Sequence, residues 1–276
     1  SPNTASATKG AMNRAKGSPG ATSLIADTRS AGVVHEWFRG EVGSDGPSGT
    51  GHPRWCARGG MSAIAKHLAQ GLDVRTSVRV TAATPIDGGW LVRTDENDVR
   101  EASAVVFTAP VPQTLDILAA GGTLLSTSDA SALSHIAYEP CTAVMVVLNR
   151  PLFPLPASPG GDVVAWVADN TTKGTSAAPH AITVHTTATY SEHTWDRETD
   201  HVAAAVIAAI GVDPSDVEGM PQVHRWRFAK PTVLHTSDHL LLSGLPPAVV
   251  AGDAFGGASV EGAAWSGRAA ARALLD

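Results

Sequence analysis

Residues 251–267, AGDAFGGASVEGAAWSG, place a glycine turn between a short apolar run and a run of small residues that suits a helix. The apolar residues 248–251 predict a buried strand. Gly252 and Gly257 favour tight turns, because glycine reaches backbone conformations that other residues avoid. Unpaired backbone N–H groups at a helix N-terminus bind anionic groups. We therefore predict that residues 251–267 form part of a ligand site.

The composition limits the classes of protein to consider. The 276 residues are 43% hydrophobic and 17% charged, which is typical of a globular protein with a sizeable core. A net charge of −6 argues against nucleic acid as a partner. No apolar run approaches the roughly 18 residues of a membrane-spanning helix, so we expect no membrane partner. Cys56 and Cys141 lie in no metal or redox motif, and we expect buried thiols in a cytoplasmic protein.

The middle of the chain predicts a mixed α+β block. Strand-like segments occupy residues 141–149, 162–169, 181–189 and 222–229, and an amphipathic helix occupies 200–210. The sequence patterns of the segments before and after this block are typical of strands in parallel β-sheets. Residues 104–110 (AVVFTAP) form a continuous apolar run that predicts a strand buried on both faces, whereas 74–80 and 89–94 predict a half-exposed meander.

Several segments carry a family resemblance when they are taken in order. These are RGGMSAIAKHLAQGLDV (58–74), AVVFTAPVPQ (104–113), VAWVADNTTKG (164–174), HRWRFAKPT (224–232) and AGDAFGGASVEGAAWSGRAAARALL (251–275). In this order they resemble the bacterial renalase-like branch of the FAD-dependent amine oxidase superfamily. The resemblance extends over about residues 22–276.

The resemblance implies a fold class of α/β plus α+β, in which an FAD/NAD(P)-binding domain is interrupted by an antiparallel-sheet substrate domain. The family's opening strand and G-x-G-x-x-G turn are not in the sequence, so the FAD domain is expected to be N-terminally incomplete. Residues 1–21, with Met12 as the only sizeable apolar side chain, predict a disordered leader. The expected FAD-domain segments are 54–110 and 245–276, and the expected substrate-domain segments are 22–53 and 111–244.

The resemblance also implies FAD as the cofactor and a set of residues that contact it. Val78 and Val80 would lie beside the adenosine, and Pro110 would end a strand close to the flavin. The other residues would form the turn and the helix start around the ribityl or pyrophosphate part and the flavin. The set is Val78, Val80, Pro110, Gly252, Asp253, Gly257, Val260 and Glu261. Alternatively, the Glu261 carboxylate interacts favourably with the positive N-terminal end of the helix dipole and contacts no ligand.

Two other segments offer candidates for a substrate pocket. Trp166, Asn170 and Lys173 lie in or before a donor-rich loop, which is either a binding loop for a nucleotide-like molecule or a solvated turn. His224 and Trp226 share one face of a strand, where they either shape the pocket or pack in the core. No catalytic residue is predicted, and the histidine spacing predicts no metal site.

The resemblance implies an oxidoreductase that passes hydride from a reduced small molecule, an amine or an NAD(P)H-like compound, to FAD and then to oxygen. Cofactor chemistry of this kind needs few acid or base groups from the protein. Two alternatives stay open. The chain is either a truncated, inactive remnant, or a half-protein that needs a separate Rossmann-fold chain.

Overall fold

The computed structural model describes residues 21–152 and 154–276, and its chain divides into two compact units. The first unit contains Asp73–Tyr138 and Lys230–Asp276, and the second contains Ile25–Leu72 and Glu139–Ala229. Within the described residues, no helix has both the length and the apolar character to cross a membrane. The expected leader, 1–21, lies outside the described residues except for Ala21, which begins a helix.

Short strands and helices alternate along the chain. The strands are β1 (Val34–Arg39), β2 (Val42–Gly43), β3 (Gly46–Pro47), β4 (Pro53–Ala57), β5 (Val80–Ile86), β6 (Gly89–Thr94), β7 (Val99–Ala102), β8 (Val105–Phe107), β9 (Ala137–Leu148), β10 (Val164–Asp169), β11 (Ala181–Thr186), β12 (Val217–Val233), β13 (Leu240–Leu241) and β14 (Ala248–Val250). The helices are α1 (Ala21–Ser30), α2 (Ser62–Leu68), α3 (Val111–Ala120), α4 (Thr127–Ser134), α5 (Ala188–His193), α6 (Thr199–Ala209), α7 (Asp253–Gly256) and α8 (Val260–Leu275).

The first unit contains two three-stranded sheets. Strands β5, β6 and β7 form an antiparallel meander, and the order of the other sheet is β13-β14-β8, with β14 and β8 parallel. The fully buried Trp90 meets Phe107 edge-on, with ring centroids 5.9 Å apart. Leu118 of α3 and Leu133 of α4 are buried in the same core. The packing of large apolar side chains therefore joins both sheets and both helices in one core.

The second unit is built on a sheet of order β10-β11-β9-β12, in which β10, β11 and β9 are antiparallel neighbours. Helix α6 places Val202, Val206 and Ile207 in the core with Val144 and Val184 of the sheet. In the same unit, β1 pairs with β4 and helix α2 follows them. The four strands and the long helix predicted for the middle of the chain are thus present.

The meander differs from its prediction at one strand. Strand β6 has the predicted bounds, but the predicted strand 74–80 is wrong except at Val80, since β5 occupies Val80–Ile86 and pairs with β6. Residues 81–86 (TAATPI) lack the alternating apolar pattern of a strand. Pro85 is tolerated there because β5 is an edge strand of its sheet, where a missing N–H donor costs little.

The apolar run 104–110 forms a shorter and more exposed strand than predicted. Only Val105–Phe107 are in β8, and Val106 is 41% exposed, so burial on both faces is wrong for this strand. The reason is its position, because β8 ends its sheet and β14 lies in the middle. All three residues of β14 are buried, as expected for a central strand with both faces covered.

Each unit consists of sequence segments that are separated by segments of the other unit. The boundaries between these segments differ from the domain boundaries expected from the sequence. The chain passes between units after residues 24, 72, 138 and 229. The expected boundaries follow residues 53, 110 and 244. The difference arises because α3 and α4 pack around Trp90 in the first unit, while Ile64 of α2 packs with Val34 of β1 in the second.

Candidate functional site

The turn after β14 depends on glycine. Gly252 has φ 144° and ψ −163°, a backbone conformation that is essentially restricted to glycine. Its N–H donates to Ser266 Oγ of α8 at 2.9 Å, and that hydroxyl donates to the Asp238 carbonyl at 2.6 Å. The turn is therefore held against α8 by a buried hydroxyl.

Helices α7 and α8 approach each other through glycines. A Cβ on Gly256 would lie 1.9 Å from the Gly262 carbonyl oxygen, so no larger residue fits at this contact. Ser259 caps α8 by accepting the Gly262 N–H at 3.0 Å. Val260 and Glu261, in the first turn of α8, are exposed, and their N–H groups have no intrahelical acceptor. The start of α8 thus presents backbone N–H groups that no described residue accepts.

A carboxyl and a phenol lie near this turn. The Asp253 carboxyl is half-buried, and burial raises its pKa, although the N–H of Ala254 donates to it. The Tyr138 hydroxyl accepts the Val111 N–H at 3.2 Å. Burial raises the pKa of Tyr138, with a smaller contribution from the negative charge of Asp253. Tyr138 is not among the predicted residues, because no local pattern links it to a turn more than a hundred residues away.

The structure brings together part of the expected cofactor set. Pro110 follows β8 and caps α3, while Gly252 and Asp253 follow the parallel neighbour β14. The Ala251 N–H donates to the Phe107 carbonyl at 3.0 Å, which ties the ends of these strands together. Ligands of parallel sheets bind outside the carboxyl ends of the strands, so this is the edge where a ligand is expected.

The two valines of the expected set lie in the other sheet of the first unit. Val80 is the first residue of β5 and pairs with Thr94, and Val78 precedes the strand. Their side chains are exposed, at 45% for Val78 and 37% for Val80. The expectation that both residues lie in one strand is therefore wrong for Val78.

The second unit contains a cavity of about 520 Å³. Aromatic and thioether side chains form much of its wall, namely Trp37, Trp55, Met61, Met145 and Met220. Asn170 and Lys173 line it as well, and they follow β10 in a turn. A volume of this size suits a small ligand, since such pockets commonly measure about 300–1,000 Å³.

Lys173 lies against an aromatic ring on the wall of this cavity. Its Nζ is 4.6 Å from the centroid of the Trp37 ring, within the range of a cation–π contact. Burial lowers the pKa of Lys173, and the charges of Cys56 and Asp169 oppose that shift. Lys173 is half-buried, whereas Thr171, Thr172 and Thr175 of the same turn are exposed.

A buried thiol lies beside the lysine backbone. Cys56 Sγ is 3.3 Å from His35 Nε2 and donates to the Lys173 carbonyl at 3.7 Å. Burial raises the pKa of Cys56, which favours the thiol over the nucleophilic thiolate. Cys56 is therefore a buried free thiol, as predicted, whereas Cys141 is only partly buried.

The other predicted pocket residues lie elsewhere in the second unit. The centroid of the Trp166 ring lies 6.4 Å from that of Trp37 and 6.4 Å from that of Phe38. Trp166 does not line the cavity. The His224 and Trp226 rings are 4.2 Å apart on β12, which confirms their shared face. Both side chains are exposed, so the alternative of core packing is wrong, and neither lines the cavity.

Comparisons with solved structures show related folds at low sequence identity. A structure of putrescine oxidase with bound putrescine has a TM-score of 0.59 at 19% identity, covering 81% of this chain and 54% of that chain. An oxidoreductase from Methanosarcina mazei has a TM-score of 0.57 at 18% identity, covering 79% of this chain and 55% of that chain. The chain spans about half the length of these proteins.

These neighbours and the interrupted order of the units confirm the predicted fold class, α/β plus α+β, in which one domain is interrupted by an antiparallel-sheet domain. The sequence itself matches the family described as flavin containing amine oxidoreductase over residues 43–275. The cofactor class of that family is the flavin that the resemblance implied. The match covers most of the sequence, and the chain therefore belongs to the flavin-containing amine oxidoreductase family.

Proposed function

We propose that this chain belongs to an FAD-dependent oxidoreductase that oxidises a reduced small molecule, an amine or a nicotinamide nucleotide, with oxygen as the electron acceptor. Family membership supports the reaction class. Bound FAD would supply the hydride-accepting ring system, and the protein would supply binding and orientation. We propose the first unit as the flavin-binding part.

The observation that carries the proposal is the position of Asp253 at the carboxyl end of a parallel strand pair, beside a glycine turn. The donor and acceptor groups fit FAD. The Asp253 carboxylate can accept hydrogen bonds from hydroxyl groups of the ribityl chain. The free N–H groups of Val260 and Glu261 suit an oxygen-rich or anionic part of the cofactor.

Other residues of the first unit would support this site. The pyrrolidine of Pro110 ends the neighbouring strand, and the glycine backbones of Gly252 and Gly257 allow a ligand to approach closely. We propose that Val78 and Val80 lie on the adenosine side. The Glu261 carboxylate would interact with the N-terminal dipole of α8.

The experiment is FAD binding by the purified chain, followed by visible absorbance and thermal unfolding. Excess FAD should raise Tm, because a ligand of the native state stabilises it by mass action. Asp253→Asn should weaken FAD binding by about tenfold, which corresponds to the loss of about 1.4 kcal/mol. Asp116→Asn is the matched control, since Asp116 is an exposed acid on α3 of the same unit.

A chain that gains neither colour nor stability from excess FAD would contradict flavin binding by this chain and favour the inactive-remnant alternative. Recovery of FAD binding on addition of a separately expressed Rossmann-fold unit would instead favour the half-protein alternative. Peroxide release with an amine but not with NAD(P)H isomers, or the reverse, would identify the reductant.

A further inference from the structure

The turn that bears Lys173 is rigidly built. The Asp169 carboxylate accepts the N–H groups of Thr171 at 2.7 Å and Thr172 at 3.3 Å. The Asn170 carbonyl accepts the N–H of Thr175 at 2.9 Å. The Trp37 indole N–H donates to Thr172 Oγ1 at 3.2 Å. The backbone at Lys173 is therefore held from within the turn and from β1.

Within the described part of the chain, the Lys173 ammonium has no hydrogen-bond or ion-pair partner, although the charge of the Asp169 carboxylate acts on it. Lys173 Nζ lies over the Trp37 ring, and among the described residues none accepts a hydrogen bond from it or forms an ion pair with it. An ammonium carries three donors, and removing it from water without acceptors is unfavourable. The half-buried ammonium therefore has hydrogen-bond donors available to a ligand in the cavity.

The other polar groups on the wall of the cavity are largely satisfied. The Asn170 side-chain amide donates to Thr183 Oγ1 at 2.8 Å, and the Cys56 thiol lies beside His35. Among the described lining residues, Lys173 is the only cation, and the tryptophans and methionines provide an apolar surface. The cavity thus combines one available positive charge with an apolar wall.

Glu218 of β12 also lines the cavity and has the opposite charge. Its side chain is exposed, so water screens the carboxylate and keeps it hydrated. Lys173 is half-buried and its turn is held in place, so its charge is screened less by water. The balance of these two groups favours an anionic over a cationic ligand.

We infer that the cavity of the second unit binds a small molecule that carries a carboxylate or phosphate group on an apolar body, with Lys173 as the contact for the anionic group. Oxyanions accept charge-assisted hydrogen bonds from ammonium groups, and the Trp37 and Trp55 rings would cover the apolar part. The inference requires no bound flavin, so its failure and that of the proposed function are independent.

The test is calorimetric titration of the full chain with four naphthalene probes that differ in one substituent. The probes are 1-naphthoate, 1-naphthyl phosphate, the neutral 1-naphthamide and the cationic 1-naphthylmethylamine. At least one of the two anions should bind tenfold or more tightly than the amide, and the tighter anion identifies the oxyanion. Equal affinities for amide and anions would overturn the inference, as would tighter binding of the amine that is lost in Glu218→Gln.

Substitutions of Lys173 distinguish an effect on ligand binding from an effect on folding. Lys173→Met should abolish the preference for anions, whereas Lys173→Arg should retain most of it because the charge is kept. Lys66→Met is the matched control, since Lys66 is an exposed lysine on α2 of the same unit. An unchanged preference in Lys173→Met, with native-like thermal unfolding, would overturn the assignment to Lys173. The comparison of probes on the unmodified chain needs no variant.

Discussion

The Lys173 ammonium lies 4.6 Å from the centroid of the Trp37 ring, on the wall of the cavity in the second unit. The Trp37 indole contacts the turn twice. Its ring face lies against the Lys173 ammonium, and its N–H donates a hydrogen bond to Thr172. The contact places a positive charge beside apolar side chains, and no described residue forms an ion pair with it, although the Asp169 carboxylate lies close enough to raise its pKa. Its effect on stability and its effect on ligand binding can therefore be measured separately.

Lys173→Met should stabilise the ligand-free protein at pH 7. Burial lowers the pKa of Lys173, so the charged form is less favourable in the folded than in the unfolded protein. The stability deficit is fully present below the folded pKa and disappears as pH rises toward the unfolded value of 10.5. Urea unfolding at pH 7 and pH 10 measures this, and the gain from the substitution should be smaller at pH 10. A large loss of stability at pH 7 would show that the ammonium has a structural role.

Trp37→Phe should destabilise the second unit by about 1 kcal/mol, because it removes the hydrogen bond to Thr172. Denaturant unfolding measures the change. Trp226→Phe is the control, since that indole is 55% exposed and lies outside the cavity, and its effect should be close to zero. Equal effects of both substitutions would contradict the role of Trp37 in holding the turn.

Gly252→Ala should destabilise the first unit by roughly 1–3 kcal/mol, because alanine is strained at φ 144° and ψ −163°. Gly267→Ala is a matched control in α8, where a Cβ would meet no atom within 4 Å. That substitution should stabilise the helix by up to about 1 kcal/mol. Thermal unfolding of both variants checks the pair, and a neutral Gly252→Ala would show that the turn relaxes.

Asp253→Asn should change ligand-free stability and FAD affinity in opposite directions. Burial raises the pKa of Asp253 above its ordinary 3.8, so the stability present below that value is lost as pH rises through the folded pKa. Removing the charge should therefore raise Tm at pH 7 and have little effect near pH 3. A destabilised Asp253→Asn protein at pH 7 would show that the carboxylate supports the fold without FAD.

Local pattern predicted much of the first unit's candidate site. Gly252 and Asp253 lie at a strand end before a helix, as the glycines and the apolar run indicated. Tyr138 was not predictable, because its proximity to Asp253 depends on packing between distant segments. The strand around Val78 was predicted wrongly, since the pairing with β6 outweighs the apolar pattern of residues 74–80.

The sequence by itself determined the order of strands and helices in the central block and the glycine turn after β14, because both depend on neighbouring residues. Only the tertiary structure decided that Trp37, Cys56 and Lys173 line one cavity while Trp166 and Trp226 do not. Residues from β1, β4 and the turn after β10 meet there through sheet pairing and core packing. Such contacts join distant parts of the chain, and no local pattern in the sequence specifies them.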